Sequence, residues 1–199
     1  MITRIASLMA LLGGLSFAAE PLFTEDFEDM GAAGKVPESW AYFGSGRTVV
    51  PTTEQAHGGT YSLRLVDGSA KEAIGLRSPF IPVKPGDAYL IEFWYFAESG
   101  NRQAVYLEFW DAKGKRIAAG SHGVQAKGKW TRKRVRDTAP VGAVNLRVHF
   151  NSYSTNVATG YFDDVKVYPS AAPNTLARKP YPPAPVTHPC GLYKVADVA

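Results

Sequence analysis

The sequence predicts an all-β protein built as an antiparallel β-sandwich or jelly roll. Short runs that alternate apolar and polar residues recur between Gly, Pro, Asn and Asp, and the sustained 3.6-residue period of an amphipathic helix is missing after the N-terminal segment. No repeat of constant length is present, which disfavours a propeller or a solenoid. The chain has 199 residues, of which 45% are hydrophobic and 20% charged, so its size suits one globular domain with flanking segments.

Residues 1–19 are predicted to be a secretory signal peptide. Arg4 precedes an apolar run over residues 5–17, and small residues end the segment. The run is too short to cross a bilayer, and Glu20 follows it where a stop-transfer sequence would have basic residues. We therefore expect a secreted or periplasmic protein without a membrane span.

Ten predicted strands occupy the domain assigned to residues 20–168. In chain order their sequences are PLFTEDF, GRTVV, TYSLRLV, AIGLRSPFIPV, AYLIEFWYFAE, AVYLEFW, KRIAAG, KWTRKRVRDT, AVNLRVHFNS and GYFDDVKVY. Each is short, alternates in polarity and is bounded by turn-forming residues. Because no helical segment separates these strands, antiparallel pairing is favoured over a parallel sheet.

Residues 169–199 are predicted to be a Pro-rich linker or the start of a further domain, because their proline density blocks helix and central strand alike. The single cysteine, Cys190, excludes an intrachain disulfide, so the core or a metal must hold the domain together. The formal charge of +4 permits an acidic partner. No nucleic-acid-binding motif is present, and we expect no binding of nucleic acid.

Three long strands combine an apolar face with an opposite face of rings and polar groups. In AVYLEFW, for example, Leu107 and Phe109 point to one side and Glu108 and Trp110 to the other. If the three strands lie in one sheet, their second faces form a single platform. Its members are Glu92, Trp94, Tyr106, Glu108, Trp110, Asn145, Arg147 and His149.

This composition suits a polysaccharide ligand, since pyranose C–H faces lie on Trp and Tyr rings while hydroxyl groups hydrogen bond with polar side chains. The alternative is ordinary packing, in which a loop covers the rings; Trp40 is then a candidate lid and Trp130 a residue at the core edge. Arg132, Arg134 and Arg136 form a basic row that either binds acidic groups of a glycan or guards a solvated sheet edge.

Five segments follow one another along residues 22–168: DFEDMGAAGKVPESW, AHGGTYSLRL, VKPGDAYLIEFWYFA, GKWTRKRVRDTAP and GYFDDVKVYP. In this order they resemble the signature segments of carbohydrate-binding modules with the galactose-binding-like β-jelly-roll fold. The resemblance implies a non-catalytic sugar-binding domain, covalently linked to a carbohydrate-active enzyme as its N-terminal module. It also implies one structural calcium ion, and we expect a monomer.

The calcium ligands implied by the resemblance lie on the first and last strands and in one turn. They are Glu28, Asp163 or Asp164, and backbone carbonyls of the turn that begins at His57 and ends at Thr60. Calcium takes six to eight oxygen ligands, which acids on adjacent terminal strands could supply. In an alternating strand Asp163 shares a face with Val165, so we expect Asp163 to point inward and favour it as the ligand. The alternative is a set of solvated edge charges.

Evidence for catalysis in the sequence is weak. The four histidines, which are His57, His122, His149 and His188, form no recognisable triad spacing. Glu92 and Glu108, if they lie on neighbouring strands, could form the carboxylate pair of a glycosidase. A small jelly-roll lyase or hydrolase is therefore one alternative function, and a structural or adhesion module that packs on a neighbouring domain is another.

Overall fold

A computed structural model describes residues 20–44, 48–100, 103–125 and 127–170, so the predicted signal peptide and most of the predicted linker lie outside the described residues. Twelve strands and one short helix form within these ranges. They are β1 Phe23–Glu25, α1 Glu28–Ala32, β2 Ala41–Phe43, β3 Val49–Thr52, β4 Ser62–Asp67, β5 Ile74–Arg77, β6 Ile81–Pro82, β7 Ala88–Gly100, β8 Gln103–Trp110, β9 Arg116–Val124, β10 Thr131–Thr138, β11 Asn145–Ser152 and β12 Ala158–Ser170. No helix in the described ranges is long and apolar enough to cross a membrane.

The strands form two six-stranded antiparallel sheets that pack as a sandwich. Sheet I has the order β10-β7-β12-β4-β3, with β1 also paired to β12. Sheet II has the order β2-β5-β11-β8-β9, with β6 also paired to β11. The predicted fold class is therefore confirmed.

The hydrophobic core lies between the inner faces of the two sheets. Phe93 on β7 and Leu107 on β8 are fully buried, as their strand alternation predicts. Phe150 of sheet II meets Phe162 of sheet I with 4.8 Å between the ring centroids. Aromatic contacts of this kind bury large apolar areas and hold the two sheets together.

Trp40 belongs to this core, which corrects the idea that it acts as a lid on a polar face. Its side chain is 7% exposed and packs against the rings of Phe23, Phe27 and Phe150 at centroid distances of 6.2 to 6.4 Å. Trp130 lies outside the core and is half-buried on the outer side of sheet I.

The strands β7 and β8 follow one another in the chain but belong to different sheets. The prediction that the three strands lie in one sheet is therefore wrong, because Glu92 and Trp94 are on sheet I and the other six platform residues are on sheet II. The chain leaves sheet I at Gly100, whose φ of 79° favours glycine. A Cβ there would lie 1.9 Å from the carbonyl oxygen of Val157, so the crossing requires a residue without a side chain.

The last strand departs from simple alternation at a bulge. The pairing of β12 with β7 shifts register between Asp163 and Lys166, and Asp164 has a φ of 48°. Asp163 is fully buried, as expected, but it lies opposite Trp94 and not on the core face of Val165. The strand ends at Ser170, two residues beyond the predicted domain boundary.

Candidate functional site

The outward-facing side chains of sheet II, called here the sheet II face, contain most of the predicted platform. The register of β11 with β8 places His149 opposite Tyr106, Arg147 opposite Glu108 and Asn145 opposite Trp110. Six of the eight predicted sugar-binding residues therefore lie together on one surface. These are Tyr106, Glu108, Trp110, Asn145, Arg147 and His149.

Glu108 is the centre of an ion-pair network on this face. Its carboxylate is 0% exposed and accepts hydrogen bonds from Arg77 Nε (2.9 Å) and Nη2 (3.3 Å), from Arg116 Nη1 (2.7 Å) and from His149 Nδ1 (3.0 Å). Burial alone would raise the pKa of Glu108, but these donors outweigh it and hold the pKa at about 2. A carboxylate that accepts four hydrogen bonds from the protein has little capacity left for a sugar hydroxyl.

His149 serves the same network and is neutral at pH 7. Burial lowers its pKa more than the hydrogen bond and the charge of Glu108 raise it. Because Glu108 is ionised and can only accept, His149 donates through its Nδ1–H group. Its Nε2 atom is buried without a hydrogen-bond partner among the described residues and lies close to Gly75. The ring is therefore part of the scaffold beneath the face.

Arg147 carries a buried charge that forms no direct ion pair in the described part of the chain. It is 8% exposed and donates from Nε to the Ser78 carbonyl oxygen (2.5 Å) and from Nη2 to the carbonyl oxygens of Arg77 (3.4 Å) and Ser39 (3.5 Å). Burial lowers its pKa and the nearby charge of Arg77 lowers it further, while the charge of Glu108 partly opposes them. The carbonyl groups position the guanidinium but do not neutralise it.

Aromatic rings surround these cations. Trp110 and Phe80 meet edge to face at 5.6 Å, and Phe80 is 48% exposed. The Arg147 guanidinium lies 4.7 Å from the Phe80 ring centroid, and the Arg77 guanidinium lies 5.9 Å from that of Trp110 and 4.6 Å from that of Phe43. The face thus offers rings to a sugar, with positive charge beside them.

Sequence reasoning missed five members of this face. Arg77 and Arg116 bind Glu108, Phe43 packs on His149, Phe80 packs on Trp110, and Tyr153 contacts Tyr106. The alternation of AIGLR does place Arg77 on the face opposite Leu76. Local alternation carries no information about the strand that lies next to it, so the contact with Glu108 could not be predicted.

Glu92 and Trp94 lie on the outer face of sheet I. Glu92 accepts hydrogen bonds from Arg132 and from Arg134 Nε (2.5 Å). Burial alone would raise its pKa, but the two arginines lower it overall. Trp94 stacks with His57 at 3.7 Å between ring centroids. Two guanidinium groups of the predicted basic row are thus already paired within the protein.

Glu92 and Glu108 do not form the carboxylate pair of a glycosidase. The two residues point outward from different sheets, on opposite sides of the sandwich. A glycosidase needs its two carboxyl groups on either side of one glycosidic bond. The predicted pairing on neighbouring strands is therefore wrong.

The predicted metal ligands do gather at one place, around the turn that follows His57. Asp163 Oδ2 accepts hydrogen bonds from the backbone N–H groups of His57 (2.7 Å) and Gly58 (3.2 Å). Glu28 Oε1 accepts from the N–H groups of Thr60 (2.8 Å) and Tyr61 (2.7 Å). Acids from the first helix and the last strand thus hold the turn from two sides.

The turn presents N–H groups to these carboxylates, whereas the prediction was of carbonyl ligands. Asp164 Oδ2 pairs with His57 Nδ1 at 2.6 Å. No group of three or more His, Cys, Asp or Glu side chains in the described ranges is placed to hold a metal ion. Asp163 is fully buried and has no cationic partner among those residues, and burial raises its pKa to about 6. The calcium site stays a prediction.

An acidic hollow of about 630 Å³ adjoins this cluster. Its wall includes Glu25, Asp26, Asp29 and Asp164. Burial raises the pKa of Glu25, and the charges of Asp26 and Asp29 raise it further. Negative charge is therefore concentrated at the edge where the first and last strands meet.

Comparison with protein-family models matches residues 19–156 to a family described as carbohydrate binding domain. The chain belongs to this family. A comparison with curated proteins found no match. Carbohydrate-binding modules are typically non-catalytic, in agreement with the expectation that this domain is not itself an enzyme.

Solved structures with the same fold include two carbohydrate-binding modules. The CBM22-1 xylan-binding domain of Paenibacillus barcinonensis Xyn10C has 16% sequence identity and a TM-score of 0.58; the match covers 78% of this chain and 97% of that one. A second xylan-binding domain from CBM 22 has 17% identity and a TM-score of 0.52, and the match covers 76% and 96% of the two chains.

A third similar structure is the enzymatically active domain of the bacteriophage CBA120 tailspike protein 4. It has 18% identity and a TM-score of 0.55; the match covers 67% of this chain and only 20% of the tailspike chain. At such low sequence identities these similarities show the fold alone. That fold is the β-jelly-roll predicted from the sequence.

Proposed function

We propose that the domain binds a polysaccharide on the sheet II face. The observation that carries this proposal is the Trp110–Phe80 ring pair, which lies beside guanidinium groups and has one ring half exposed. Rings of this kind receive the C–H faces of pyranoses, and adjacent N–H donors bind hydroxyl or acidic oxygens. Membership of the carbohydrate binding domain family supports a polysaccharide as the ligand.

The residues of the face divide into two groups by exposure. Trp110, Phe80, Tyr106 and Arg116 are partly exposed and are proposed to contact the sugar. Glu108 and the buried side chains on β11 position them from beneath. The predicted role of Glu108 as a direct partner for sugar hydroxyls is replaced here by a positioning role, since its oxygens are already occupied.

Replacing Trp110 with alanine is expected to weaken polysaccharide binding by about five- to a hundredfold, because one desolvated aromatic contact contributes about 1 to 3 kcal/mol. Binding is measured by isothermal titration against a panel of soluble xylan, mixed-linkage glucan and polygalacturonate. Trp94→Ala is the matched control, since Trp94 is also partly buried but lies on sheet I. Full affinity in Trp110→Ala, with a loss in Trp94→Ala, would move the site to the other sheet.

We also propose that one calcium ion binds between Glu28, Asp163 and Asp164. Two observations support this site. The buried carboxylate of Asp163 has no cationic partner among the described residues, and an acidic hollow lies beside the cluster. Oxygen-only donors of this type suit a hard cation. Binding would require Glu28 and Asp164 to turn toward Asp163, because their contacts now lie on the turn from His57 to Thr60.

Removal of calcium is expected to lower the melting temperature, because a cation that binds only the folded state stabilises it. The measurement is thermal unfolding in calcium and in EDTA. Asp163→Ala should lose the difference between the two conditions, whatever its own melting temperature. If metal analysis confirms that no ion remains in EDTA and the wild type has the same melting temperature in both conditions, the calcium site is refuted.

The proposal extends to the setting of the module. Export is inferred from the signal-like residues 1–19. Covalent linkage to a catalytic domain, with this unit as the N-terminal module, is inferred from the Pro-rich residues 169–199 and from the resemblance of the sequence. A monomeric state remains an expectation. Family membership supports only the binding function of the domain.

A further inference from the structure

We propose that the polysaccharide bound on the sheet II face carries anionic groups, and that Arg116 is the residue that contacts them, with Arg77 and Arg147 adding positive charge behind it. The shared chemistry is a carboxylate or a sulfate on the sugar chain. This inference rests on the proposed function, because it names the class of glycan bound at the same site.

The charges of the face support an anionic ligand. The described strands of sheet II carry three guanidinium groups, those of Arg77, Arg116 and Arg147, and one carboxylate, that of Glu108, which pairs with the first two. His149 adds no charge at pH 7. A positive surplus on a partly desolvated surface attracts anions more strongly than the same charges in open water.

The hydrogen-bonding groups point to the same class of ligand. The acceptor atoms of Glu108 are occupied by Arg77, Arg116 and His149. The Nε1 atom of Trp110 is buried and finds no acceptor among the described residues. Apart from the buried Nε2 of His149, the unpaired polar atoms of the face are donors, and a ligand rich in acceptor oxygens complements them best.

Arg116 is the cation best placed to reach such a ligand. Its side chain is 46% exposed, and it pairs with Trp110 across β8 and β9. A guanidinium carries five N–H donors in a planar fork, and the bond to Glu108 uses Nη1 alone. A pyranose resting on Trp110 therefore lies next to free donors that suit a carboxylate or sulfate.

The test compares charged and uncharged glycans with one backbone. Titration uses polygalacturonate and its fully methyl-esterified form, with alginate as a second carboxylate, chondroitin sulfate as the sulfated chain and xylan as a neutral one. We expect the acid form of the galacturonan to bind about tenfold more tightly than its ester. If another anionic chain is the ligand, we expect it to bind about tenfold more tightly than xylan. Affinity should fall as NaCl rises from about 0.02 to about 0.5 M, because salt screens charge pairs.

Arg116→Gln should lower the affinity for the anionic chain by about fivefold at low salt. Arg134→Gln is the matched control. Arg134 is 59% exposed and also pairs with a glutamate, Glu92, but it lies on sheet I, so its variant should retain affinity within about twofold. Melting curves of both variants verify that they are folded.

Each outcome decides the matter. Binding of a sulfated but not a carboxylated chain upholds the anionic class and assigns sulfate. If xylan or the ester binds as tightly as every acidic chain, and its affinity does not depend on salt, this inference is wrong. The proposed polysaccharide function then remains intact. Absence of binding to every chain removes the proposed function itself. Equal losses in Arg116→Gln and Arg134→Gln refute the assignment to Arg116.

Discussion

Replacing Glu108 with alanine is expected to destabilise the domain by about 3 to 5 kcal/mol, which is typical when one partner of a buried ion pair is removed. The change leaves Arg77 and Arg147 close together without a balancing charge and removes the acceptor of His149. The measurement is the free energy of unfolding in guanidinium chloride, taken from linear extrapolation.

Glu92→Ala provides a matched control for this change. Glu92 also binds two arginines, but their side chains are 48% and 59% exposed, so the expected loss is about 0 to 1 kcal/mol. The double variant Glu108→Ala with Arg77→Met should recover part of the stability, since it removes one of the stranded cations. Equal losses from Glu92→Ala and Glu108→Ala would contradict the central role of the sheet II network.

Acid should act on the same network. The folded-state pKa of Glu108 lies at about 2, below its ordinary value of 4.5, so its contribution is present above pH 4.5 and is lost as pH falls toward about 2. Folding also lowers the pKa of His149 from its ordinary value of 6.5. Its contribution to stability is therefore likewise lost as the pH falls below 6.5. Between pH 4.5 and 2 the wild type should therefore lose more stability than Glu108→Ala.

Trp40→Ala is expected to cost about 3 to 5 kcal/mol of stability, as for other large rings removed from a core. Trp40 is nearly fully buried among Phe23, Phe27 and Phe150, and its loss opens a cavity between the sheets. The melting temperature should fall sharply. The affinity of the molecules that remain folded for a polysaccharide should be unchanged, because Trp40 is not part of the sheet II face.

Trp130→Ala is the control for ring removal without a core cavity. Trp130 is half-buried beside Phe96 and His57, and its loss should cost about 1 kcal/mol. A Trp40→Ala protein that keeps its melting temperature but loses affinity would restore the lid role that the sequence suggested.

Alternation within each strand was predicted well from the sequence. Ile91, Phe93, Leu107 and Phe109 all point into the core, because a strand with one continuous apolar face can bury it in only one orientation. Family resemblance then identified the fold class correctly.

Sheet membership could not be predicted from local patterns. Only two residues separate Gly100 from Gln103, a spacing that ordinarily joins two neighbouring strands of one sheet, yet here it carries the chain from sheet I to sheet II. The bulge at Asp163 is a second case, since one inserted residue reverses the face of every residue before it. Both features depend on contacts between distant parts of the chain.

The polar row of β11 illustrates the same limit for the candidate site. Arg147, His149 and Asn151 alternate with core residues and so resemble an exposed face, but all three are buried. β11 is the middle strand of sheet II, and rings such as Phe43 and Phe80 cover it from elsewhere in the chain. Whether a strand lies in the middle or at the edge of its sheet depends on the order of all the strands. The sequence of one strand does not contain that information.

The pairing of the first strand with the last has a consequence for protein engineering. The N–H group of Leu22 donates to the carbonyl oxygen of Val167 at 2.7 Å, and Phe23 lies opposite Val167 in the antiparallel ladder. The entry and the exit of the folded unit are therefore neighbours, about 5 Å apart in the ladder. The unit can therefore be inserted into a surface loop of a host protein without forcing the two ends of that loop apart. A circular permutant that joins the first strand to the last needs only a short linker.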